Sequence, residues 1–162
     1  MVRIDKIMSS DFLILSNEAK ILDAARLMAD KRHGCVIIVE DKKVIGIVTE
    51  SDILRNFVSK NVSLKSNITQ IMSYPVTTIN QNEKLEKANK IVDSKQFRKY
   101  PVVDGQNFVV GLVRENEIVH ALNDNISFHR NLQNAVLVVF VAFEFFVFIY
   151  YRYLVNIFLF LR

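Results

Sequence analysis

In the stretch "GIVTESDIL", residues 46–54, an apolar strand-like run gives way to a polar turn with Thr49 and Asp52 set three apart. Two chemistries fit that spacing. A Thr at a helix N-cap accepts a backbone N–H and an acid at the third helical position bonds back to the cap, so residues 49–52 read as a capping box with Asp in place of Glu. A hydroxyl, a carboxylate and free backbone N–H groups at a helix start also suit a phosphorylated ligand. One copy leaves both readings open, but the chain holds a second. In "VVGLVRENEIV", Arg114 stands where Thr49 does and Glu117 where Asp52 does.

Those two stretches close a duplication. "IMSSDFLILSNEAKILDAARLMADKRHGCVIIVE" from Ile7 matches "IMSYPVTTINQNEKLEKANKIVDSKQFRKYPVVD" from Ile71, an offset of 64 that becomes 65 after the turn. A period this long marks two supersecondary units sharing a core. Each unit reads as a short strand (13–15; 77–79), a polar cap (Ser16; Asn80 with Glu83), and a helix with Ile21, Ala25 and Met28, or Leu85, Ala88 and Val92, at helical spacing. Two further strands follow in each, 36–39 and 44–48, then 100–103 and 108–113, with turns at 41–43 and 104–107. Runs such as "CVIIV" predict strands buried on both faces. A closing helix begins at Thr49 or Arg114. The βαββα order predicts an α/β or α+β fold with two lobes related by a pseudo-twofold axis.

The repeat, its Ile-Met-Ser openings and the GhhT-x-x-D ending (h apolar) resemble CBS domains, which occur in tandem as a Bateman module. The resemblance covers about residues 4–126, with repeats at 4–62 and 68–126. It implies clefts between the repeats that bind adenosine-containing ligands such as AMP, ADP, ATP or S-adenosylmethionine. It also implies that Asp52 holds the ribose hydroxyls and Thr49 contacts phosphate. A carboxylate accepts from two vicinal hydroxyls at once, and such charge-assisted bonds are strong. The second repeat departs from the pattern: Arg114 either recruits phosphate or fills the pocket, and Glu117 either reaches a ribose or points to solvent. One good site, at Thr49 and Asp52, is therefore expected.

Arg98 and Lys99 stand where some family members carry phosphate-binding cations. They equally suit the C-terminal end of a helix, where cations are favoured. Leu13, Ile14, Ile37 and Ile38 fit either an adenine wall or the core. His33, His120 and His129 have no partner at metal-ligand spacing, and no metal site is expected. The single cysteine, Cys35, excludes an internal disulfide and reads as a small core residue. With no Gly-rich phosphate loop or nucleophile elbow, an enzyme is not expected. The net charge is +4, yet residues 5–60 hold nine Lys/Arg and nine Asp/Glu and residues 70–126 hold seven of each, so nucleic acid is not expected as a partner. The first residues carry charges with no apolar run behind them, so no secretory leader is expected.

From Ala135 the chain changes character. "AVLVVFVAFEFFVFIYYRYLVNIFLFL", 27 residues to Leu161, is broken only by Glu144, Arg152 and Asn156. As a helix it would run about 40 Å, enough to cross a ~30 Å hydrocarbon layer. Tyr150, Tyr151 and Tyr153 resemble an interfacial belt, and His129 and Arg130 fit a cytoplasmic side. Arg130, Glu144, Tyr151, Arg152, Asn156 and Arg162 share a sector of about 140°, which suits a span paired with a copy of itself or a partner. The soluble alternative is a helix buried in a dimer interface. The expected whole is a regulatory adenosine-sensing module with no covalent cofactor, forming a homodimer and acting on a further protein. It would be anchored in a membrane through residues 135–161, its 132–161 helix, with the repeats in the cytoplasm. The alternatives are a ligand-independent dimerisation and docking scaffold, and a soluble cytoplasmic protein.

Overall fold

The computed structural model describes residues 2–95 and 97–160, and only the backbone of Asn125, Ile126, His129 and residues 153–160. The chain divides into two compact units, Met1–Ala121 and Leu122–Arg162. In the first, the βαββα order occurs twice: β1 (Ile14–Ser16), α1 (Ile21–Lys31), β2 (Cys35–Glu40), β3 (Lys43–Thr49) and α2 (Glu50–Lys60), then β4 (Ile79–Asn80), α3 (Leu85–Lys95), β5 (Lys99–Val103), β6 (Val109–Arg114) and α4 (Glu115–Phe160). Each half makes a three-stranded mixed sheet. β1 runs parallel to β2 and β2 antiparallel to β3, and β4, β5 and β6 repeat the arrangement. A two-residue turn joins β2 to β3 with Asp41 and Lys42 both at positive φ, the conformation that matches strand twist in a tight hairpin.

The helices α1 and α3 begin later than Ser16 and Asn80. Asn80 instead accepts from the Asn82 N–H at 2.9 Å in a local turn, and the Lys20 N–H donates to Asp23 at 2.9 Å to open α1. On α1 the buried face is Ile21, Ala24 and Met28, so Ala24 rather than Ala25 meets the sheet. On α3 it is Leu85, Ala88 and Val92, as the spacing predicts.

β2 is covered on both faces, as its apolar run predicts. Val36 and Ile38 pack with Ile21, Ala24 and Met28 in the core of the first repeat. Cys35 and Ile37 point the other way and pack with Ile47 of β3 and with Val103 and Leu112 of the second repeat. This second cluster is what joins the repeats.

The segments that open each copy are exchanged between them. The Ile68 N–H donates to the Ala19 carbonyl at 2.9 Å and Ile4 N–H to the Glu83 carbonyl at 3.0 Å, equivalent bonds that cross in opposite directions. Likewise Ser73 bonds to Ile47 on β3, and Ser9 to Leu112 on β6. The stretch around Ile7-Met8-Ser9 therefore docks on the second repeat, and that around Ile71-Met72-Ser73 on the first.

The glycine of each GhhT-like ending admits this crossing. A Cβ on Gly111 would stand 2.8 Å from the Met8 Sδ and 3.1 Å from the Ser9 carbonyl oxygen, which is fixed in the bridge to Leu112. Gly111→Ala is expected to lower unfolding free energy by about 1–3 kcal/mol, the scale of overpacking. Gly46→Ala meets only Met72 side-chain atoms and should cost less. Chemical denaturation followed by circular dichroism measures both, and equal stability of Gly111→Ala and wild type would refute the close approach.

The second unit is the remainder of α4, whose apolar stretch is its dominant feature. Residues Arg130–Arg152 form a helical segment with mean hydropathy 2.2, long and apolar enough to cross a membrane. Its large side chains are uncovered, from Val147 at 45% to Phe146 at 69% exposure. Tyr150, Tyr151 and Arg152 lie at its end. The side chains of Tyr153 and Asn156, and all of Leu161 and Arg162, lie outside the described residues, as does the side chain of His129.

Candidate functional site

Thr49 ends β3 in an extended conformation and caps α2. Its Oγ1 accepts the Asp52 N–H at 3.2 Å, while its own N–H and O–H donate to Asp52 Oδ2 at 2.9 and 2.7 Å. The capping box is therefore real. It uses one carboxylate oxygen: Asp52 Oδ1 accepts nothing among the described residues. Asn56, buried, donates to the Asp52 carbonyl at 2.8 Å and steadies that first turn. Capping and ligand binding are thus compatible, since each can use a different oxygen.

A cavity of about 480 Å³ opens beside this cap, within the range of small-molecule sites. The first repeat contributes Gly34, Ile47, residues 49–52 and Arg55. The crossing segment contributes Ser73, Pro75, Val76 and Thr77, and the α3–β5 junction Phe97, Arg98 and Lys99. Arg98 and Lys99 thus share one cavity with Thr49 and Asp52. The Lys99 Nζ lies over Gly34, where an added Cβ would stand 2.7 Å from it and 3.3 Å from the Glu50 carboxylate. The side chains of Arg55, Arg98 and Lys99 make no hydrogen bond or ion pair among the described residues.

The other residues singled out from the sequence stand elsewhere. Ile37 is fully buried in the cluster joining the repeats, and Ile14 on the edge strand β1 is 48% exposed; neither lines the cavity. Leu13 and Ile38 pack in the first repeat's core. Arg114 and Glu117 form the second cap. The Arg114 N–H donates to Glu117 Oε2 at 2.8 Å, and its guanidinium pairs with Oε1 at 2.7 Å. Both oxygens of Glu117 are occupied by one residue, and Asp52's spare oxygen has no counterpart here. Burial pushes the Cys35 thiol up, against the pull of Lys99 and Arg114, as suits a packed side chain. His33 lies against Asp11, its Nε2 3.4 Å from the carboxylate. No group of three His, Cys, Asp or Glu suited to a metal occurs among the described residues.

Sequence reasoning passed over Arg55, Glu50, Phe97 and the crossing segment. Arg55 had a signal: it is three residues beyond Asp52 and so on the same helix face. The crossing segment had none.

The family model for the CBS domain matches residues 4–59 and again 68–124. The chain belongs to the CBS-domain family. It is 32% identical over 123 residues to the homoserine O-acetyltransferase of Methanohalobium evestigatum, covering 75% of this chain and 24% of that one. Inosine-5'-monophosphate dehydrogenase of Thermoplasma acidophilum is 31% identical, over 72% of this chain and 23% of its own. The chain thus spans about a quarter of the length of these two enzymes. It spans 94% of the CBS domain-containing protein YhcV of Bacillus subtilis, at 28% identity over 77% of its own length. Among solved structures, the CBS domain pair of MJ0100, in complex with 5'-methylthioadenosine and S-adenosyl-L-methionine, superposes with a TM-score of 0.66 at 23% identity, covering 76% of this chain and 98% of that one. CBSX2 in complex with AMP gives 0.62 at 19% identity, over 75% and 96%. At these identities the likeness establishes the fold, a CBS pair.

Proposed function

We propose that this CBS pair is a regulatory module that binds an adenosine-containing ligand in the cavity between its repeats and passes the binding event to a partner protein. One observation carries the reading: the same cavity gathers a carboxylate with a spare oxygen, a capped helix start and cations from both repeats. Asp52 Oδ1 accepts from the ribose hydroxyls, and Thr49 and the α2 N-terminus receive the polar end of the ligand. Ile47, Pro75 and Val76 supply the apolar surface for the base. The complexes of MJ0100, with 5'-methylthioadenosine and S-adenosyl-L-methionine, and of CBSX2, with AMP, support this class of ligand. Because the lining comes from both repeats, a bound ligand favours one arrangement of them over another, the differential affinity a switch requires.

Native mass spectrometry of the full chain, purified in detergent without added nucleotide, tests the reading. A co-purifying adenosine compound is expected. No adduct, together with no rise in melting temperature with AMP, ATP or S-adenosylmethionine, would refute it.

Titration should show one tight site per chain and at most one much weaker, because Arg114 saturates Glu117. Arg114→Thr with Glu117→Asp rebuilds the first repeat's pattern and is expected to strengthen the weaker site. Two equal sites in wild type would overturn the asymmetry.

The tail supports membrane anchoring through residues 135–161 with the CBS pair in the cytoplasm. The exposed Leu54, Phe57 and Val58 on one face of α2, and a span whose Glu144 is best met by protein, support a homodimer.

A further inference from the structure

We infer that the protein on which this module acts is itself a membrane protein, recognised through a stripe of the tail helix centred on Glu144 that pairs with a Lys or Arg in one of the partner's spans. This deepens the membrane-anchor reading of residues 135–161 and rests on it. Glu144 stands fourteen residues beyond Arg130 and eight before Arg152, about 21 Å and about 12 Å along the helix from those ends. From that depth a Glu side chain is too short to carry its carboxylate to either interface. An ionisable group held inside the hydrocarbon faces protein and pairs there. Nothing on its own helix answers it: the residues three and four positions away are Phe140, Val141, Val147 and Phe148, all apolar. Glu144 is exposed and makes no hydrogen bond or ion pair among the described residues.

A second copy alone leaves it unanswered. Both copies enter the membrane from the same side, so their tails run parallel and Glu144 meets Glu144 amid the same four apolar residues. A dimer thereby gathers two carboxylates at one level and supplies no cation. A span of another protein can place one between them, and charge-assisted bonds are the strong ones. The rest of the helix agrees on the face. Arg130, Leu137, Glu144 and Tyr151 recur every seven residues, the spacing of a seam along which helices pack. At 100° per residue, Gln133, Asn134 and Arg152 share with them a sector of about 100°. The opposite face, with Val139, Phe143 and Phe146, is apolar and exposed and suits lipid. The polar groups are collected on the one side that protein has to cover.

Energy transfer in phosphatidylcholine vesicles tests the pairing. The full chain, labelled at its C-terminus, is reconstituted with an acceptor-labelled Leu-Ala transmembrane peptide carrying one Lys at its centre, or with the same peptide carrying Leu there. The Lys peptide is expected to associate about tenfold more tightly than the Leu peptide. Glu144→Leu, which only adds an apolar side chain to an apolar helix, should remove the difference. A peptide whose Lys is moved two turns toward one end should behave as the Leu peptide does. Equal association of the Lys and Leu peptides with wild type, or a Lys preference that survives Glu144→Leu, overturns the pairing while the anchor stands. Transfer between two labelled copies, with none to the Lys peptide, assigns the stripe to a second copy and also overturns it. Failure of the full chain to float with the vesicles overturns the anchor itself.

Discussion

Asp52→Asn is expected to weaken the adenosine ligand by about 1.5–3 kcal/mol, the scale of a hydrogen bond to a charged group. Stability of the ligand-free protein should barely change. The two effects separate because the cap and the ribose use different atoms. Oδ2 holds the Thr49 N–H and O–H, and a side-chain amide oxygen keeps accepting at that point. Oδ1 accepts from no donor among the described residues, so the second acceptor lost in Asn is lost to the ligand, while loss of the charge touches the cap by only a few tenths to about 1 kcal/mol. Asp52→Ala removes both roles, adding a cap loss of about 0.5–2 kcal/mol to the same drop in affinity. By linkage, saturating ligand raises the melting temperature of wild type far more than that of either variant. Calorimetry on the three proteins is the measurement, with a 2'-deoxyadenosine nucleotide as control, since it already lacks one hydroxyl. Wild-type affinity in Asp52→Asn would reduce the pair to a helix cap.

The full chain should remain in the membrane pellet after carbonate extraction at high pH, and a chain ending at Asn131 should not. This expected difference is all-or-none. Nearly every side chain from Val136 to Tyr151 is apolar, and the large ones are uncovered within the chain. At roughly 25 cal/mol per Å² of apolar surface, leaving a 23-residue apolar helix in water is prohibitive. Something must cover it, and a bilayer covers every face at once. If the full chain instead washes out as a folded dimer, a second copy provides the cover and the anchor is refuted. Glu144 gives a further readout. Its carboxylate within the apolar stretch calls for a protein-facing environment, so Glu144→Leu should preserve pelleting while changing self-association in detergent.

Local relations were legible in advance. The cap of Thr49 with Asp52 depends on residues three apart and formed as the spacing predicts, whereas the pairing of Arg114 with Glu117 was not among the readings of the second junction. The buried stripe of α3 followed from helical periodicity, which reports how a segment's own side chains are distributed around its axis, and the β2 strand and the apolar tail followed from unbroken apolar runs of strand and span length. The starts of α1 and α3 were misplaced, because Ser16 and Asn80 carry capping chemistry that a turn satisfies equally well.

The sequence alone determined a duplicated βαββα unit, two strand-to-helix junctions of unequal chemistry and a long apolar helix. The tertiary structure decided what each apolar face meets. Ile37 and Ile38 are adjacent and equally buried, yet one seals the joint between repeats and the other the core of the first repeat. It also decided that residues 2–9 and 66–73 dock on the opposite repeat, so that the unit of sequence repetition is not the unit of folding. Finally, it brought Arg98 and Lys99, some fifty residues along the chain from Thr49, to the same cavity. Pattern encodes that a face must be covered and that a charge is present. Which distant segment covers the one and faces the other is settled only when competing burials are satisfied together, because hydrophobic burial is non-directional.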